Sequence, residues 1–393
     1  MGDTKLGKVM TGEAGDTEME RYWMWLCSCS GLYRGTILAL TEYFGSPKGV
    51  YEADARDLLA WKKLSDGDEM SWVGALTDYK DTVTASDAEA RLARRSLRFV
   101  SRYSEEFPAK LRNLPDCPYG LFYRGSLPDE TVPAVAVVGA RLCSSYGTQM
   151  AEVIGKALAQ HGYQVISGMA AGIDGTAQKA CLQEEGRSFA LLGCGADVCY
   201  PPENRSLYDR LPEKGGILSE FAPGTPPLRP HFPQRNRLIS GLSDAVIVVE
   251  ARAKSGSLIT ADLALDQGKE VYAVPGRYND LLSYGCNRLI GQGAGIVLST
   301  DRLLEELALT LDLQRVSPGG DSSSPEEERM LKGLSEDEQK VYRELNYDAR
   351  SIDEIARACG LTLLQTMTAL LNLQMKERAE EVSKNRYVVK LAS

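Results

Sequence analysis

The sequence contains little histidine and no CxxC cysteine pair. Its 393 residues include two histidines, His161 and His231, and nine cysteines that form no CxxC pair. Structural zinc sites and disulfide frameworks depend on such spacings. We therefore expect no metal, no other cofactor, and cysteine thiols that stay reduced, most of them buried.

Long apolar runs are also missing. No run approaches the roughly 18 apolar residues of a membrane-spanning helix, and the first twenty residues are polar and acidic, without the apolar region of a secretory signal. We expect a cytoplasmic protein without membrane contact. Hydrophobic residues make up 43% and charged residues 25%, which is typical of globular proteins, and the length predicts two or three domains.

Positive charge is scarce overall, because 45 basic residues face 54 acidic ones and the net charge is −9. A polyanion responds to local potential, however, so charge has to be examined by region. Residues 221–243 contain no Asp or Glu, whereas Arg229, Arg235 and Arg237 fall within nine positions. Arginine binds phosphate bidentately, and Phe232 in the same segment offers a ring on which a base can stack. The alternative is a loop paired with nearby carboxylates and a buried phenylalanine. The two prolines within residues 228–237 predict an irregular, exposed path.

Composition divides the chain into four segments. Residues 1–105 have helical apolar spacing and predict a small helical domain, whereas residues 106–310 alternate apolar runs with helical patterns. Residues 311–330, which include SPGGDSSSPEEE, have no apolar periodicity and predict a flexible linker. Residues 331–393 return to helical patterns, with ten basic and ten acidic side chains.

The apolar runs of the second segment predict buried parallel strands, because helices cover both faces of such a sheet. The runs are AVAVVG (134–139), YQVISG (163–168), SFALLG (188–193), GGILSE (215–220), AVIVVE (245–250) and EVYAVPG (270–276). The fold class is therefore α/β, with a Rossmann-like parallel sheet as its core. Ligands of such sheets bind beyond the carboxyl ends of the strands, where Gly139 ends the first run and Arg141 follows it.

A second candidate for anion binding follows the run AVIVVE. Lys254, Ser255 and Gly256 lead into a predicted helix that opens at Ser257 and contains Thr260. The free N–H groups, the dipole and the hydroxyls at such a helix start favour an anion. The alternative is an ordinary N-cap. Whether this turn lies beside the end of the first run depends on the strand order, which the sequence leaves open.

Signals for catalysis are weak. The G-x-G-x-x-G and Walker patterns are absent. No pairing of a nucleophile with a base is evident, and Asp174 and Glu250, which could act as acid or base, also fit a helix cap and a strand end. We therefore expect a binding protein and not an enzyme.

Taken together, these motifs resemble the DNA-processing protein A family (DprA, also called Smf). The matching segments are VGAR (138–141), SSYG (144–147), SGMAAGID (167–174), LGCGADVCYPPEN (192–204), FPQRNR (232–237), ISGLSDAVIVVEARAKSGSLITA (239–261), AVPG (273–276) and GCNRLIGQGA (285–294), preceded by FPAKLRNLPDCPYGLFYRG (107–125). The resemblance implies a protein that binds single-stranded DNA during natural transformation, displaces single-strand-binding protein and loads the recombinase RecA. It also implies a homodimer formed through the Rossmann-like core.

The resemblance also assigns a DNA pocket. By motif, the pocket includes Gly139, Arg141, Arg229, Phe232, Arg235, Asn236, Arg237, Lys254, Ser255, Gly256, Ser257 and Thr260. The arginines would hold phosphates and Phe232 would stack on a base. Two positions depart from the family pattern, since Ala171 stands where arginine is common and Gln178 where histidine is common. We therefore expect one positive contact to be missing.

The flanking segments resemble the family's terminal domains. The amino-terminal helices are similar to a sterile-alpha-motif-like or helix-hairpin-helix region. Residues 334–345, 351–360 and 361–376 resemble the helices of a winged helix, with a wing strand at 385–389. Residues 361–374 contain no Lys or Arg, although a helix that reads duplex DNA needs basic side chains. We therefore favour a protein-contact or regulatory role for the winged helix.

An enzyme on the same fold is the alternative. Nucleotide phosphoribohydrolases of the cytokinin-activating type share this kind of sheet and use a PGGxGT turn with a glutamate. Here Pro275 and Gly276 are followed by Arg277 and Tyr278, so the binding function is favoured.

Overall fold

The computed structural model describes residues 13–64, 71–315, 334–345, 350–376, 378–383 and 385–389. The chain divides into two compact units, residues 1–315 and 316–393. The larger unit combines amino-terminal helices with a large sheet, and the smaller unit contains three helices and a small sheet within its described residues.

The amino-terminal part of the larger unit is helical. Its helices are α1 (Glu13–Ser28), α2 (Arg34–Phe44), α3 (Pro47–Glu52), α4 (Ala55–Leu64), α5 (Ser71–Thr82) and α6 (Ala85–Arg94). They pack around the buried Trp25, which donates its indole N–H to the carbonyl of Val83 at 2.8 Å. Trp23 stacks on Tyr119 from the sheet region, with ring centroids 5.2 Å apart, so the helices and the sheet share one apolar core.

The sheet is mostly parallel. Its strands are β1 (Arg98–Ser101), β2 (Gly120–Gly125), β3 (Ala134–Val138), β4 (Gln164–Ser167), β5 (Ser188–Leu191), β6 (Gly216–Ser219), β7 (Ala245–Val248), β8 (Glu270–Ala273) and β9 (Gly295–Ile296), in the order β1-β2-β6-β5-β4-β3-β7-β8-β9. Strands β3 to β9 pair in parallel, and β1 and β2 add to one edge in antiparallel pairing. This arrangement confirms the predicted Rossmann-like core. The sheet begins at Arg98, before the predicted domain boundary at 106, because all four residues of β1 pair with β2.

Helices cover both faces of the sheet, which explains why every residue of β3 is at most 2% exposed. They are α7 (Ala109–Arg112), α8 (Ser145–Gln160), α9 (Ile173–Gln183), α10 (Arg205–Lys214), α11 (His231–Leu242), α12 (Gly256–Asp266), α13 (Tyr284–Gly291) and α14 (Thr300–Arg315), with a 3-10 turn at Pro202–Asn204. Helix α9 starts after Gly172, whose φ is +77°. A side chain there would also collide with the carbonyl oxygen of Ala140, so this start requires glycine.

The smaller unit has the elements α15 (Glu336–Glu344), β10 (Arg350–Ser351), α16 (Ile352–Cys359), α17 (Leu363–Met375), β11 (Ala379–Ser383) and β12 (Arg386–Val389), with the strand order β10-β12-β11. Val341, Ile355 and Leu373 are fully buried between the helices. This architecture confirms the predicted winged helix. Residues 311–315 of the predicted linker belong to α14, and residues 316–330 lie outside the described residues.

Some features can be stated for the described ranges only. None of the helices described is long and apolar enough to cross a membrane. Within the same ranges, no three His, Cys, Asp or Glu side chains are grouped so that they could hold a metal ion. All nine cysteines fall in these ranges and are free thiols.

Candidate nucleic-acid interface

A crevice opens where the strand order reverses. From β3 the chain continues through β4, β5 and β6 on one side, and then places β7 on the other side of β3. Open α/β sheets bind ligands at such a switch point, beyond the carboxyl ends of the strands. A pocket of about 730 Å³ lies there, which we call the crevice pocket. Its lining includes eleven of the twelve predicted site residues: Gly139, Arg141, Arg229, Phe232, Arg235, Asn236, Lys254, Ser255, Gly256, Ser257 and Thr260.

The turn after β3 forms one wall of the crevice pocket. Gly139 is packed so closely on Ile173 that an added Cβ would lie 2.6 Å from the Ile173 side chain. The exposed Arg141 follows, and its guanidinium carbon lies 4.9 Å from the ring centroid of Phe232. This distance is within the range of a cation–π contact. A positive charge and a half-buried aromatic ring therefore share one wall.

The arginine segment has a different backbone from the one predicted. Residues 221–230 form irregular structure, but α11 begins at His231 and the prediction of an irregular path beyond this point is wrong. Pro230 occupies the N-cap position and Pro233 lies in the first turn, where backbone N–H groups have no partner within the helix, so proline is tolerated. The first turn of α11 carries Phe232 into the crevice pocket, while Arg229 lies just before the helix and is exposed.

Arg235 forms the floor of the crevice pocket. It is buried and donates hydrogen bonds to the carbonyl oxygens of Gly168, at 2.9 Å, and Leu191. Gly168 leaves room for it, since an added Cβ would lie 2.5 Å from the guanidinium. Burial lowers the pKa of Arg235 to about 10, against the effect of the Asp174 carboxylate, so the side chain stays charged near pH 7. Burial also disfavours the charged form of Asp174 and so raises the pKa of its carboxyl, whereas the nearby Arg235 opposes this shift.

Arg237 faces away from the crevice pocket. Its Nη2 donates to Glu220 at 2.5 Å and its Nε pairs with Asp116 at 2.6 Å, and the side chain is buried. Burial raises the pKa of Glu220, and Arg237 opposes this shift. Arg237 therefore follows the alternative interpretation of the segment, in which an arginine pairs with nearby carboxylates. Both carboxylates lie outside the acid-free segment 221–243.

The turn after β7 forms the opposite wall. Ser255 holds the N-cap position of α12, but its hydroxyl accepts no hydrogen bond from a backbone N–H of the helix and lies 2.8 Å from the hydroxyl of Ser257. The ordinary side-chain cap is therefore not made, and the first turn of the helix faces the crevice pocket. Asn236 ties α11 to this turn by donating to the carbonyl oxygen of Gly256 at 3.2 Å. Lys254 is exposed beside it, so the wall combines a cation with a helix N-terminus that favours anions.

Comparison with known proteins identifies the family. Residues 98–308 match the sequence profile of the family described as DNA recombination-mediator protein A, and residues 325–383 match that of the DprA winged helix domain. The chain belongs to the DNA recombination-mediator protein A family. This finding confirms the resemblance on which the pocket assignment was based.

Individual relatives cover much of the chain. DNA processing protein DprA of Streptococcus pneumoniae is 44% identical over 200 residues, which are 51% of this chain and 71% of that protein. Protein Smf of Escherichia coli is 38% identical over 273 residues, 69% of this chain and 72% of that protein. The X-ray structure of DNA processing protein A from Streptococcus pneumoniae superposes with a TM-score of 0.59 at 35% identity, covering 73% of this chain and 97% of that one.

The two departures from the family pattern lie outside the pocket lining. Gln178 is buried and uses its whole amide internally: Nε2 donates to Ser188 and to the carbonyl of Phe189, and Oε1 accepts from the N–H of Met169, each at 3.1 Å. Ala171 directly precedes the glycine that starts α9. Within the described residues, neither side chain lines the crevice pocket.

Three further residues have positions that the sequence did not settle. Tyr200 lines the crevice pocket with its ring centroid 5.5 Å from that of Phe232; its only signal was an aromatic residue before two prolines in a matched motif. Asp174 accepts from the N–H of Gly168 at 3.1 Å beneath the pocket. Glu250 accepts from both the N–H and the hydroxyl of Ser144, at 2.9 and 2.5 Å, and so fixes the start of α8.

Proposed function

We propose that the crevice pocket binds single-stranded DNA, and that the protein acts by this binding without turning over a substrate. The observation that carries the proposal is the meeting of three exposed cations, Arg141, Arg229 and Lys254, with the ring of Phe232 and the open N-terminus of α12 in one pocket. Cations and free N–H groups hold phosphates, and an aromatic ring stacks on any base.

The position of the ring favours a single strand over a duplex. Phe232 is half-buried at the base of the pocket wall, between Arg141 and Tyr200. Only a base that has left its stack can enter a concave pocket and lie on such a ring, whereas the bases of a duplex are held inside the helix. Arg235, whose pKa stays near 10 despite burial, adds a positive charge below the pocket at pH 7, with Asp174 beside it.

We propose the partners by analogy with the family. We infer a cytoplasmic protein that displaces single-strand-binding protein, loads RecA onto DNA and acts in natural transformation or homologous recombination. A homodimer through the Rossmann-like core is supported by exposed apolar side chains on the segments that follow β8 and β9, where Tyr278 is 91% exposed and Leu281, Tyr284 and Leu298 are also exposed. Exposed apolar side chains that lie close together are typical of a protein interface.

Binding of a labelled thymidine oligomer, measured by fluorescence anisotropy against a duplex of equal length across a salt series, tests the proposal. Three phosphate contacts on a single strand predict a log–log salt slope of about −2. We expect the single strand to bind more tightly, and the triple variant Arg141→Ala, Arg229→Ala, Lys254→Ala to lose most of the affinity and of the slope. Equal binding to the duplex would contradict the proposal, and release of ribose 5-phosphate from a nucleotide would favour the hydrolase alternative.

A further inference from the structure

A second cavity lies on the other side of the first turn of α11. Its volume is about 740 Å³, within the range of small-molecule sites, roughly 300–1,000 Å³. We call it the helix-side pocket. It is enclosed by the connection between α1 and α2, by the end of β6 and by α11, and its lining includes Tyr33, Asp116, Glu220, Phe221, His231 and Arg237.

The two pockets adjoin. Pro233 and Ile259 line both of them. The consecutive residues His231 and Phe232 present one ring to each pocket, because neighbouring residues on a helix point about 100° apart. A strand held by its phosphates in the crevice pocket therefore has a direct path over Pro233 and Ile259 into the helix-side pocket.

The helix-side pocket also contains an aromatic platform. His231 stacks on Phe221 with ring centroids 4.1 Å apart and an interplanar angle of 21°. Burial lowers the pKa of His231, against the hydrogen bond to Gly193, so the imidazole is neutral near pH 7. A neutral stacked pair suits a nucleobase better than a phosphate.

Two polar atoms on the wall of the helix-side pocket lack partners. Glu220 Oε2 accepts from Arg237, but Glu220 Oε1 and Arg237 Nη1 are buried and make no hydrogen bond within the described part of the chain. A buried polar atom without a partner is costly. The last torsion of a glutamate is soft, so a small rotation turns Oε1 toward a ligand. Asp116, which is half-exposed, adds a second carboxylate to the same wall.

We propose that the helix-side pocket accepts a second nucleobase of the same DNA strand and prefers guanine to thymine. This inference rests on the proposed function. Guanine presents two adjacent donors, N1–H and N2–H, to the Glu220 carboxylate, and its O6 accepts from Arg237. Thymine presents one donor flanked by two carbonyl oxygens, which the carboxylates repel. Strand selectivity comes from the crevice pocket, and base preference comes from the helix-side pocket.

The test compares three labelled oligomers of equal length: thymidine alone, thymidine interrupted by single guanines, and the same with hypoxanthine in place of guanine, which removes the N2 amine. A good bidentate contact gives at least about 5-fold discrimination. We expect the guanine oligomer to bind at least about 5-fold more tightly than thymidine, and the hypoxanthine oligomer to lose most of this gain.

Glu220→Gln sharpens the test, because the amide still accepts from Arg237 but offers a donor in place of Oε1. It should abolish the guanine preference without weakening thymidine binding, with Tm measured for each variant. Glu213→Gln, on the exposed face of α10 and outside both pockets, is the matched control and should keep the preference. Arg141→Ala should weaken all three oligomers by the same factor.

The outcomes separate the two proposals. Tight binding of all three oligomers with equal affinity, unchanged by Glu220→Gln, would leave single-strand binding in place and overturn the helix-side pocket. Absence of single-strand binding would overturn both. If dGMP binds to the helix-side pocket but the oligomers show no guanine preference, the pocket is a site for free nucleotides. This result would contradict the proposal that one DNA strand occupies both pockets.

Discussion

Two arginines of the predicted site, Arg141 and Arg237, are expected to differ sharply when each is replaced by alanine. Arg141 is exposed at the crevice pocket and contacts Phe232. Arg237 is buried between Glu220 and Asp116 and does not line that pocket. Arg141→Ala should therefore affect DNA binding, and Arg237→Ala should affect folding stability.

The magnitudes follow from the two environments. Loss of one exposed charged contact costs about 1.5 kcal/mol, or roughly tenfold in affinity, and reduces the salt slope by about 0.7. Removal of Arg237 leaves the Glu220 carboxylate buried without a partner, which costs about 3–5 kcal/mol. At about 2 °C per kcal/mol for a unit of this size, Tm should fall by roughly 6–10 °C.

Anisotropy titrations at several salt concentrations and thermal unfolding of both variants provide the assay. Arg141→Ala should keep the wild-type Tm and show the shallower slope, and Arg237→Ala should show the reverse. The double change Arg237→Met, Glu220→Met removes both members of the buried ion pair, so no unpaired charge remains between these two positions. It should recover much of the stability that Arg237→Ala loses. An Arg237→Ala protein with unchanged Tm and a reduced salt slope would refute the assignment of this arginine to the protein interior.

Other variants test the remaining parts of the structure. Phe232→Ala should weaken single-strand binding by about 1–3 kcal/mol without changing the salt slope, and Phe232→Tyr should keep most of the affinity, as titrations can show. Arg229→Ala and Lys254→Ala should each reduce the slope by about 0.7 at constant Tm, because both side chains are exposed. Burial pushes the pKa of Glu338 up, but Lys376, at 2.6 Å, and the cap of α15 outweigh this and hold it below 4.5. This contribution to the stability of the winged helix is present above pH 4.5 and is lost as the pH falls further; urea unfolding at pH 7 and pH 3.5 should show a smaller pH effect in Glu338→Gln than in the wild type.

The sequence was sufficient for the core and for most of the pocket lining. Apolar runs such as 134–139 and 245–250 have to be buried on both faces, and this requirement predicts the parallel sheet. Glycines and cations directly after these runs then meet at one sheet edge. Which arginines face the crevice pocket could not be predicted, because the directions of Arg235 and Arg237 depend on the helical backbone of α11. Arg235 and Arg237 are two positions apart and therefore point about 200° apart on a helix, so both cannot face one pocket.

The carboxylates that pair with Arg237 could not be predicted from the residues around it in the sequence either. Asp116 lies shortly before β2 and Glu220 directly follows β6, and both are outside the acid-free segment 221–243. Only the fold brings these two carboxylates next to α11. An absence of acidic residues along the chain is therefore not an absence of acidic residues in space. The exposed cations, by contrast, could be recognised because their positions at strand ends and before a helix start follow from the strand pattern.

The net charge of −9 bears on how the salt dependence should be interpreted. Outside the crevice pocket, an acidic surface repels DNA, and added salt screens this repulsion as well as the attraction to Arg141, Arg229 and Lys254. The two effects have opposite signs, so the measured slope understates the number of phosphates held in the pocket. The difference in slope between the wild type and each single-cation variant is free of this offset to a first approximation, because removing one charge changes the distant repulsion little. Phosphate contacts should therefore be counted from these differences and not from the wild-type slope alone.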